Sequence, residues 1–356
     1  MRGVILSDNG TISYNSERVG ISERKKSYYP LRLLEVEITL RCPLRCIHCS
    51  VGGGESKVDL PLEKYLELVD DCYKLGVEGI DIIGGEPLAY PHIYEALSYT
   101  VKKIPKTYLS TAGYFINEKI ADKLKSTGLE YVFISLDGPT KEKHEKIRGV
   151  GTFEKTLSAI RMLSEKGFYV IVSFVATSET FSDIPEMIEL CEKLSAKKLF
   201  VLAFIPEGRG KRVSNLVLTE DMIKQVINFY IRYKGKVELE FDCSLKTYFG
   251  DLPSDCYICP AGTTFATVKV NGDVFPCGFL RDYENMKAGN IFEKRFIEIW
   301  CDDGNFSYFR KPISGCESCS IYKECRGGCQ ALKIGKVCDG KPYVRKQFFA
   351  ELGFIK

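Results

Sequence analysis

Long apolar stretches are missing from this sequence. The longest unbroken run, Leu199 to Ile205, is too short to span a bilayer. The first twenty residues lack the apolar core of a secretion signal. An excess of either charge is missing too, because 50 basic residues stand against 47 acidic ones for a net charge of +3. That balance gives no reason to expect nucleic acid or an anionic membrane as partner. There is no internal repeat and no low-complexity tract. These absences point to a cytoplasmic protein of ordinary texture, with 45% hydrophobic and 27% charged residues. A chain of 356 residues is long enough for one large domain and a smaller one.

Cysteine is present in excess. The chain has 15, and a reducing cytoplasm keeps thiols out of disulfides. Metal binding or catalysis then explains them better. Cys72 and Cys191 are exceptions, since both fall on the apolar faces of expected helices and read as small buried hydrophobes.

Strand and helix signals alternate through the middle of the chain. Strands are expected at Leu33–Leu40, Ile80–Ile83, Thr107–Ser110, Tyr131–Leu136, Tyr169–Ala176 and Leu199–Ile205. Segments with a period near 3.6 lie between them, at Leu62–Leu75, Phe153–Lys166 and Ile184–Leu194. The last has Ser182 or Asp183 placed to cap it and Pro185 in its first turn. Repeated strand–helix units imply an α/β fold with parallel strands, and their order suits an open sheet or a partial barrel. Near residue 236 the alternation stops and cysteines crowd together. Three units are therefore expected. Residues 1–32 form an N-terminal segment with a hairpin turning at Asn9-Gly10. Residues 33–235 form the core domain, and residues 236–356 a smaller metal-organised domain.

The most informative stretch is "RCPLRCIHCS", with Cys42, Cys46 and Cys49 just after the first strand. In a parallel α/β domain ligands gather beyond the carboxyl ends of the strands, so this triplet sits at that rim. A four-iron cluster takes four sulfur ligands, one per iron. With three, one iron keeps an exchangeable position for a substrate, by the logic of an open catalytic zinc site.

This Cys-x3-Cys-x2-Cys pattern, followed by "GGEP" at Gly84 to Pro87 after the second strand, resembles the radical S-adenosylmethionine (AdoMet) enzymes. The resemblance implies a partial (β/α)6 TIM-like barrel. It also implies AdoMet chelated on the unique iron and cleaved by one electron to methionine and a 5′-deoxyadenosyl radical, which takes a hydrogen atom from the substrate. By the same resemblance Gly84, Gly85, Glu86 and Pro87 hold the AdoMet amino group. Ser135 and Asp137, in "ISLDG", belong to the strand end that meets the ribose. Arg148 binds the AdoMet carboxylate, and His48 packs near the adenine. The resemblance also counts Ser110, which opens "STAG", among the AdoMet-binding residues; there Ala112 replaces the family's asparagine, so an amide hydrogen bond is absent or supplied elsewhere. His92 and His144 lie in polar sequence surroundings and carry no catalytic expectation.

The later cysteines, Cys256, Cys259, Cys277, Cys316, Cys319, Cys325, Cys329 and Cys338, resemble the SPASM extension of the same family. The resemblance implies two auxiliary [4Fe–4S] clusters, three in all. It would place Cys256, Cys259, Cys277 and Cys329 on the first auxiliary cluster, and Cys316, Cys319, Cys325 and Cys338 on the second. Cys243 competes with Cys256 for the first of these positions, and zinc competes with iron–sulfur, since paired cysteines also build zinc ribbons.

Three substrate readings follow from the resemblance: maturation of a ribosomal peptide, modification of a tetrapyrrole side chain, and formylglycine formation in sulfatases. Gly278 weakens the third, because sulfatase-maturing members carry an aspartate at that position. Peptide modification is the leading reading, with a peptide substrate, a separate leader-binding protein and a flavodoxin or ferredoxin as low-potential electron donor. Tetrapyrrole modification comes second. A non-catalytic iron–sulfur carrier is the alternative of another kind, and the intact "GGEP", Ser135 and Arg148 argue against it. "EGRG", Glu207 to Gly210, reads either as a family feature or as an ordinary polar turn.

Overall fold

The computed structural model of the chain describes residues 29–54, 56–246, 259–310, 329 and 331. The hairpin expected at Asn9-Gly10 lies outside the described residues. Strands and helices alternate as β1 (Leu33–Glu37), α1 (Leu62–Leu75), β2 (Gly79–Ile83), α2 (Ile93–Lys103), β3 (Lys106–Thr111), α3 (Glu118–Ser126) and β4 (Tyr131–Ser135). The alternation goes on with α4 (Lys141–Arg148), α5 (Phe153–Glu165), β5 (Tyr169–Ala176), α6 (Ile184–Lys193), β6 (Lys198–Ala203), α7 (Glu220–Arg232) and β7 (Glu238–Phe241). The strands β1 to β7 lie side by side in chain order and all pair in parallel. These are the parallel strands that the alternation predicts, in the partial barrel that the resemblance implies.

Two parallel strands were not anticipated. β7 extends one edge. At the other edge β8 (Phe265–Val268) pairs in parallel with β1, and an antiparallel ribbon of β9 (Asp273–Phe275) and β10 (Gly289–Asn290) follows. Both are four-residue strands, too short for an alternating pattern to stand out from chance.

The sheet separates two kinds of surface. One set of alternate residues, including Leu34, Val36, Ile80, Val132, Val172 and Val201, is wholly buried under the helices. Each such side chain contributes roughly 1.5–3 kcal/mol by leaving water. The other set points into the barrel and includes Glu35, Asp81, Ser110 and Lys198. The helices end for local reasons. Gly76 closes α1 in the left-handed region at φ 71°. Pro185 sits in the first turn of α6 as expected, but Asp183 makes no side-chain cap there. Its carboxylate instead accepts from Lys143 Nζ at 2.6 Å, because an ion pair with α4 competes with the local cap.

The later chain is fastened to this core by polar contacts. Asp71 of α1 is 1% exposed. It accepts from Arg295 Nε at 3.0 Å and Arg295 Nη2 at 2.5 Å, and from the Ile297 backbone N–H at 3.4 Å, at the start of the helix Phe296–Cys301. Trp300 is buried and its indole N–H donates to the Tyr29 carbonyl at 2.9 Å. Asp71→Ala should therefore lower stability by about 1–3 kcal/mol. A denaturation curve should show a lower midpoint at unchanged slope; an unchanged midpoint would contradict this fastening role.

Candidate active site

The cysteine loop is laid directly against the end of β2. The Gly85 N–H donates to the Thr39 carbonyl at 2.6 Å, and the Glu86 N–H to the Arg41 carbonyl at 2.7 Å. A Cβ on Gly84 would stand 2.5 Å from the Thr39 oxygen, and one on Gly85 2.4 Å from the Arg41 oxygen. Two glycines are needed because backbone meets backbone here. Across the loop, the Cys42 N–H donates to the Gly54 carbonyl at 3.1 Å and the Ile47 N–H to the Ile147 carbonyl at 3.0 Å.

Glu86 is buried, and its carboxylate is filled by this chain's own donors. It accepts from Thr111 Oγ1 at 2.6 Å, the Ala112 N–H at 2.8 Å and the Leu88 N–H at 3.1 Å. Pro87 opens the short 3-10 turn Pro87–Ala89 behind it. The missing asparagine side chain at position 112 is thus no obstacle to this contact, since the backbone N–H of Ala112 makes it.

Sequence reasoning left one clamp unrecognised. The "EGRG" turn after β6 closes on the cysteine loop. Arg209 donates from Nε to the Cys46 carbonyl at 3.0 Å and from Nη1 to the Gly53 carbonyl at 2.7 Å. Its backbone N–H donates to the Cys49 carbonyl at 2.9 Å. Gly208 holds φ 55°, and a Cβ on it would stand 2.4 Å from the Ser50 oxygen. The motif gave the signal, but only the fold brings residues so far apart in the chain together.

A second polar centre lies beside the loop. Asp137 is fully buried at the end of β4. It accepts from Arg148 Nε at 2.5 Å, pairs with His48 Nε2 at 2.9 Å and accepts from the Val175 N–H at 3.0 Å. Burial alone would raise its pKa, but Arg148 and His48 outweigh it and hold the carboxyl well below the usual range. Arg148 Nη1 also lies 3.9 Å from Cys46 Sγ. His144 is buried rather than set in polar surroundings. Burial, helped by Arg148, lowers its pKa to about 4, so the ring is neutral and its Nδ1 accepts the Asp137 N–H at 3.1 Å. Ser135 ends β4 opposite Ser173 of β5. Ser110 stands away from Glu86 and donates into the barrel, to the Asp81 carboxylate at 2.9 and 3.0 Å.

The chain's donors suit the cluster and AdoMet implied by the sequence. Burial, against the Leu44 N–H and with the neighbouring Glu86 carboxylate and thiols, raises the Cys42 thiol to about 11. Cys46 is likewise raised by burial, against Arg148. A bound metal centre would reverse that preference, because thiolates ligate iron. His48 Nδ1 is buried with no hydrogen-bond partner among the described residues, a polar atom left for a bound group. Among the described residues no three Cys, His, Asp or Glu side chains close around a point suited to a single ion. A four-iron cube, with each thiolate on its own iron, sets its ligands farther apart.

A second group of thiols gathers at the other side of a cavity of about 550 Å³. Cys243, Cys259, Cys277 and Cys329 all line it. Burial raises Cys243 and Cys277 far above the usual thiol range, and the other thiols of the group push them further. Cys256, Cys316, Cys319, Cys325 and Cys338 lie outside the described residues. Ser50, which follows the cysteine loop, lines the same cavity with Tyr108, Phe133 and Phe200, while Ile205 packs with Leu280 and Cys329 beside the second group of thiols.

Arg209→Ala should loosen the cysteine loop and cost about four iron atoms per chain after anaerobic reconstitution. Lysine should not restore them, since a single ammonium cannot make the forked contact. Iron retention equal to wild type in Arg209→Ala would show that the clamp does not support the loop.

Comparison with known proteins agrees with this geometry. The radical SAM superfamily profile matches residues 36–191, and the SPASM iron–sulfur cluster-binding domain profile matches residues 259–330. The chain is 29% identical over 341 residues to the AdoMet-dependent heme synthase of Methanosarcina barkeri, covering 88% of this chain and 95% of that protein. It is 31% identical over 319 residues to the mycofactocin maturase MftC of Mycobacterium tuberculosis, covering 85% of this chain and 80% of that one. The crystal structure of Streptococcus suis SuiB bound to S-adenosylmethionine shares the fold at a TM-score of 0.71 and 22% identity, over 86% of this chain and 74% of that chain. Among the described residues no helix is long and apolar enough to cross a membrane. With three cysteines on a glycine-anchored loop at the mouth of a partial barrel and a second set of thiols lining its cavity, this chain is thus a member of the radical SAM superfamily with a SPASM domain.

Proposed function

We propose that this radical SAM enzyme modifies a ribosomally made peptide within the barrel cavity. The observation that carries the reading is the charge state of the walls. Of the four cations that line the cavity, three are already ion-paired: Lys198 lies 2.8 Å from Glu238 and 2.7 Å from Glu240, Arg281 lies 2.5 Å from Glu37, and Arg32 lies 3.7 Å from Glu78, which leaves Lys106 alone without an ion pair among the described residues. Apolar and aromatic side chains, Tyr108, Phe133, Phe200 and Phe279, make up much of the remaining wall. Such a surface suits a neutral or aromatic side chain of a peptide. A tetrapyrrole bearing several carboxylates would need unspent cations. The relatives include proteins named for each reading, a mycofactocin maturase and a heme synthase, so the wall is the discriminating feature.

In this reading Cys42, Cys46 and Cys49 hold the first [4Fe–4S] cluster, which when bound supplies the electron that cleaves AdoMet to a 5′-deoxyadenosyl radical. The chain's own residues set the geometry. Gly84 and Gly85 fix the loop, Arg209 clamps it from the opposite side, and Glu86 with Pro87 locks the turn that faces AdoMet. Asp137 fixes the planes of His48 and Arg148. Arg148 has five N–H donors, of which Nε and Nη1 meet Asp137 and Cys46, leaving others for the AdoMet carboxylate. Ser135 faces the ribose. A low-potential one-electron donor such as a flavodoxin or ferredoxin reduces the enzyme.

For the first auxiliary cluster the proposed ligands are Cys243, Cys259, Cys277 and Cys329, with Cys243 in the place that the resemblance gave to Cys256. Cys316, Cys319, Cys325 and Cys338 are assigned to the second.

Dithionite-reduced, reconstituted protein should convert AdoMet to 5′-deoxyadenosine, and Cys46→Ala should abolish this; turnover by that variant would reject the ligand assignment. Iron should approach about twelve atoms per chain. Cys243→Ala should lose about four of them while Cys256→Ala keeps all; the opposite result returns the position to Cys256. The substrate class is tested by co-expression with short reading frames encoded nearby, with mass spectrometry of each peptide. A mass change supports the reading, and modification of an added carboxylated tetrapyrrole instead would overturn it.

A further inference from the structure

Two carboxylates in the cavity are not among the residues assigned to AdoMet or iron. Glu35 on β1 and Asp81 on β2 are directly paired across the parallel ladder, and both line the cavity. Adjacent strands lie about 4.8 Å apart, so two anions here repel each other. Their surroundings differ. Glu35 accepts from Thr267 Oγ1 at 3.1 Å and lies 3.7 Å from Arg281 Nη2. Asp81 accepts only the Ser110 hydroxyl, and among the described residues no cation pairs with it.

The charges facing this wall do not balance. Arg281 is 6% exposed and is held chiefly by Glu37 at 2.5 Å and by the Gly278 carbonyl. Tyr108, the β3 partner of Asp81, is neutral, with a pKa that burial raises. Lys198 is taken by Glu238 and Glu240. Glu35, Glu37 and Asp81 therefore share one guanidinium, three negative charges against one positive, and a bound proton removes half of the excess. Burial, then the charge of Glu35, push Asp81 up to about 7. Burial also raises Glu35, but Arg281 and Thr267 oppose it. Asp81 is thus the member that keeps the proton.

Gly278 makes room for this arrangement. A Cβ there would stand 2.6 Å from Glu35 Oε1 and 3.0 Å from Arg281 Nη2. The residue after Cys277 has no side chain, and the carboxylate of Glu35 occupies that space from the neighbouring sheet.

We propose that Glu35 and Asp81 form the acid–base pair of the substrate cavity, with Asp81 holding the shared proton and Glu35 receiving one from the substrate. The assignment rests on reading the cavity as the substrate site. In the step, an N–H or O–H bond of the substrate breaks and its electron pair stays on the heteroatom. The proton forms an O–H bond on Glu35. The pair then holds two protons and returns one to solvent, so no oxidant or reductant is consumed.

Infrared difference spectroscopy of the full chain, labelled with 13C-aspartate and free of AdoMet and substrate, tests the pair. Formation of 5′-deoxyadenosine tests the family chemistry separately, so either can fail alone. A label-sensitive protonated-carboxyl band should disappear as pH rises through about 7 and should be absent in Asp81→Asn. Glu35→Gln removes the like charge and should weaken proton binding by Asp81 about tenfold, moving the midpoint down by about one pH unit. Ser110→Ala removes a bond to the anion and should move the midpoint up. A midpoint in the ordinary carboxylate range, or one indifferent to Glu35→Gln, overturns the proposal. Should Glu35→Gln not fold, Ser110→Ala decides: an upward shift supports the pair and no shift overturns it.

Discussion

The constraint on which the site depends is the direct contact of two backbones, the cysteine loop after β1 and the glycine turn after β2. Their carbonyl and N–H groups bond at 2.6 and 2.7 Å, and no side chain fits between them. A short loop carrying three thiols has no core of its own to hold it in shape. It takes its shape from neighbours: the Gly-Gly turn on one side, the Arg209 turn on the other, and the Ile47–Ile147 bond that ties it to α4. The three thiols are thereby presented together at the mouth of the barrel, where parallel strands direct their following loops.

Beneath that mouth the sheet has two different faces. The helix-facing side is uniformly apolar and supplies the stability. The inner side carries charges, and these compensate one another closely: Lys198 against two glutamates, Arg281 against Glu37. Buried pairs of this kind contribute little net stability, but they decide what the cavity admits. At Glu35 and Asp81, paired directly across the ladder, the compensation falls short.

Parts of this were legible in residue order alone. The helix Leu62–Leu75 falls where its periodicity put it, because a 3.6-residue repeat encodes both the helix and its buried face. The strands through β6 were equally readable. β7 and β8 were not, because four residues carry too little alternation and their pairing is decided by which sheet edge is free. Asp183 looked like a cap, but it pairs with Lys143 on another helix. Ser110, in a strand-end motif, looked like a cofactor contact, but its hydroxyl turns inward to Asp81; side-chain direction follows strand register, which a motif does not encode.

By itself the sequence determined the chemistry that is local in the chain: three thiols at fixed spacings, a glycine pair with room for close approach, and the alternation that makes a parallel sheet. Tertiary structure alone decided which distant groups meet. It set Arg209 against Cys46, Cys243 beside Cys259, Cys277 and Cys329, and Glu35 in the space left by Gly278. The reason is physical: spacing within a loop is set by covalent geometry, whereas contacts between strands depend on register and on which charges must be compensated once water is excluded.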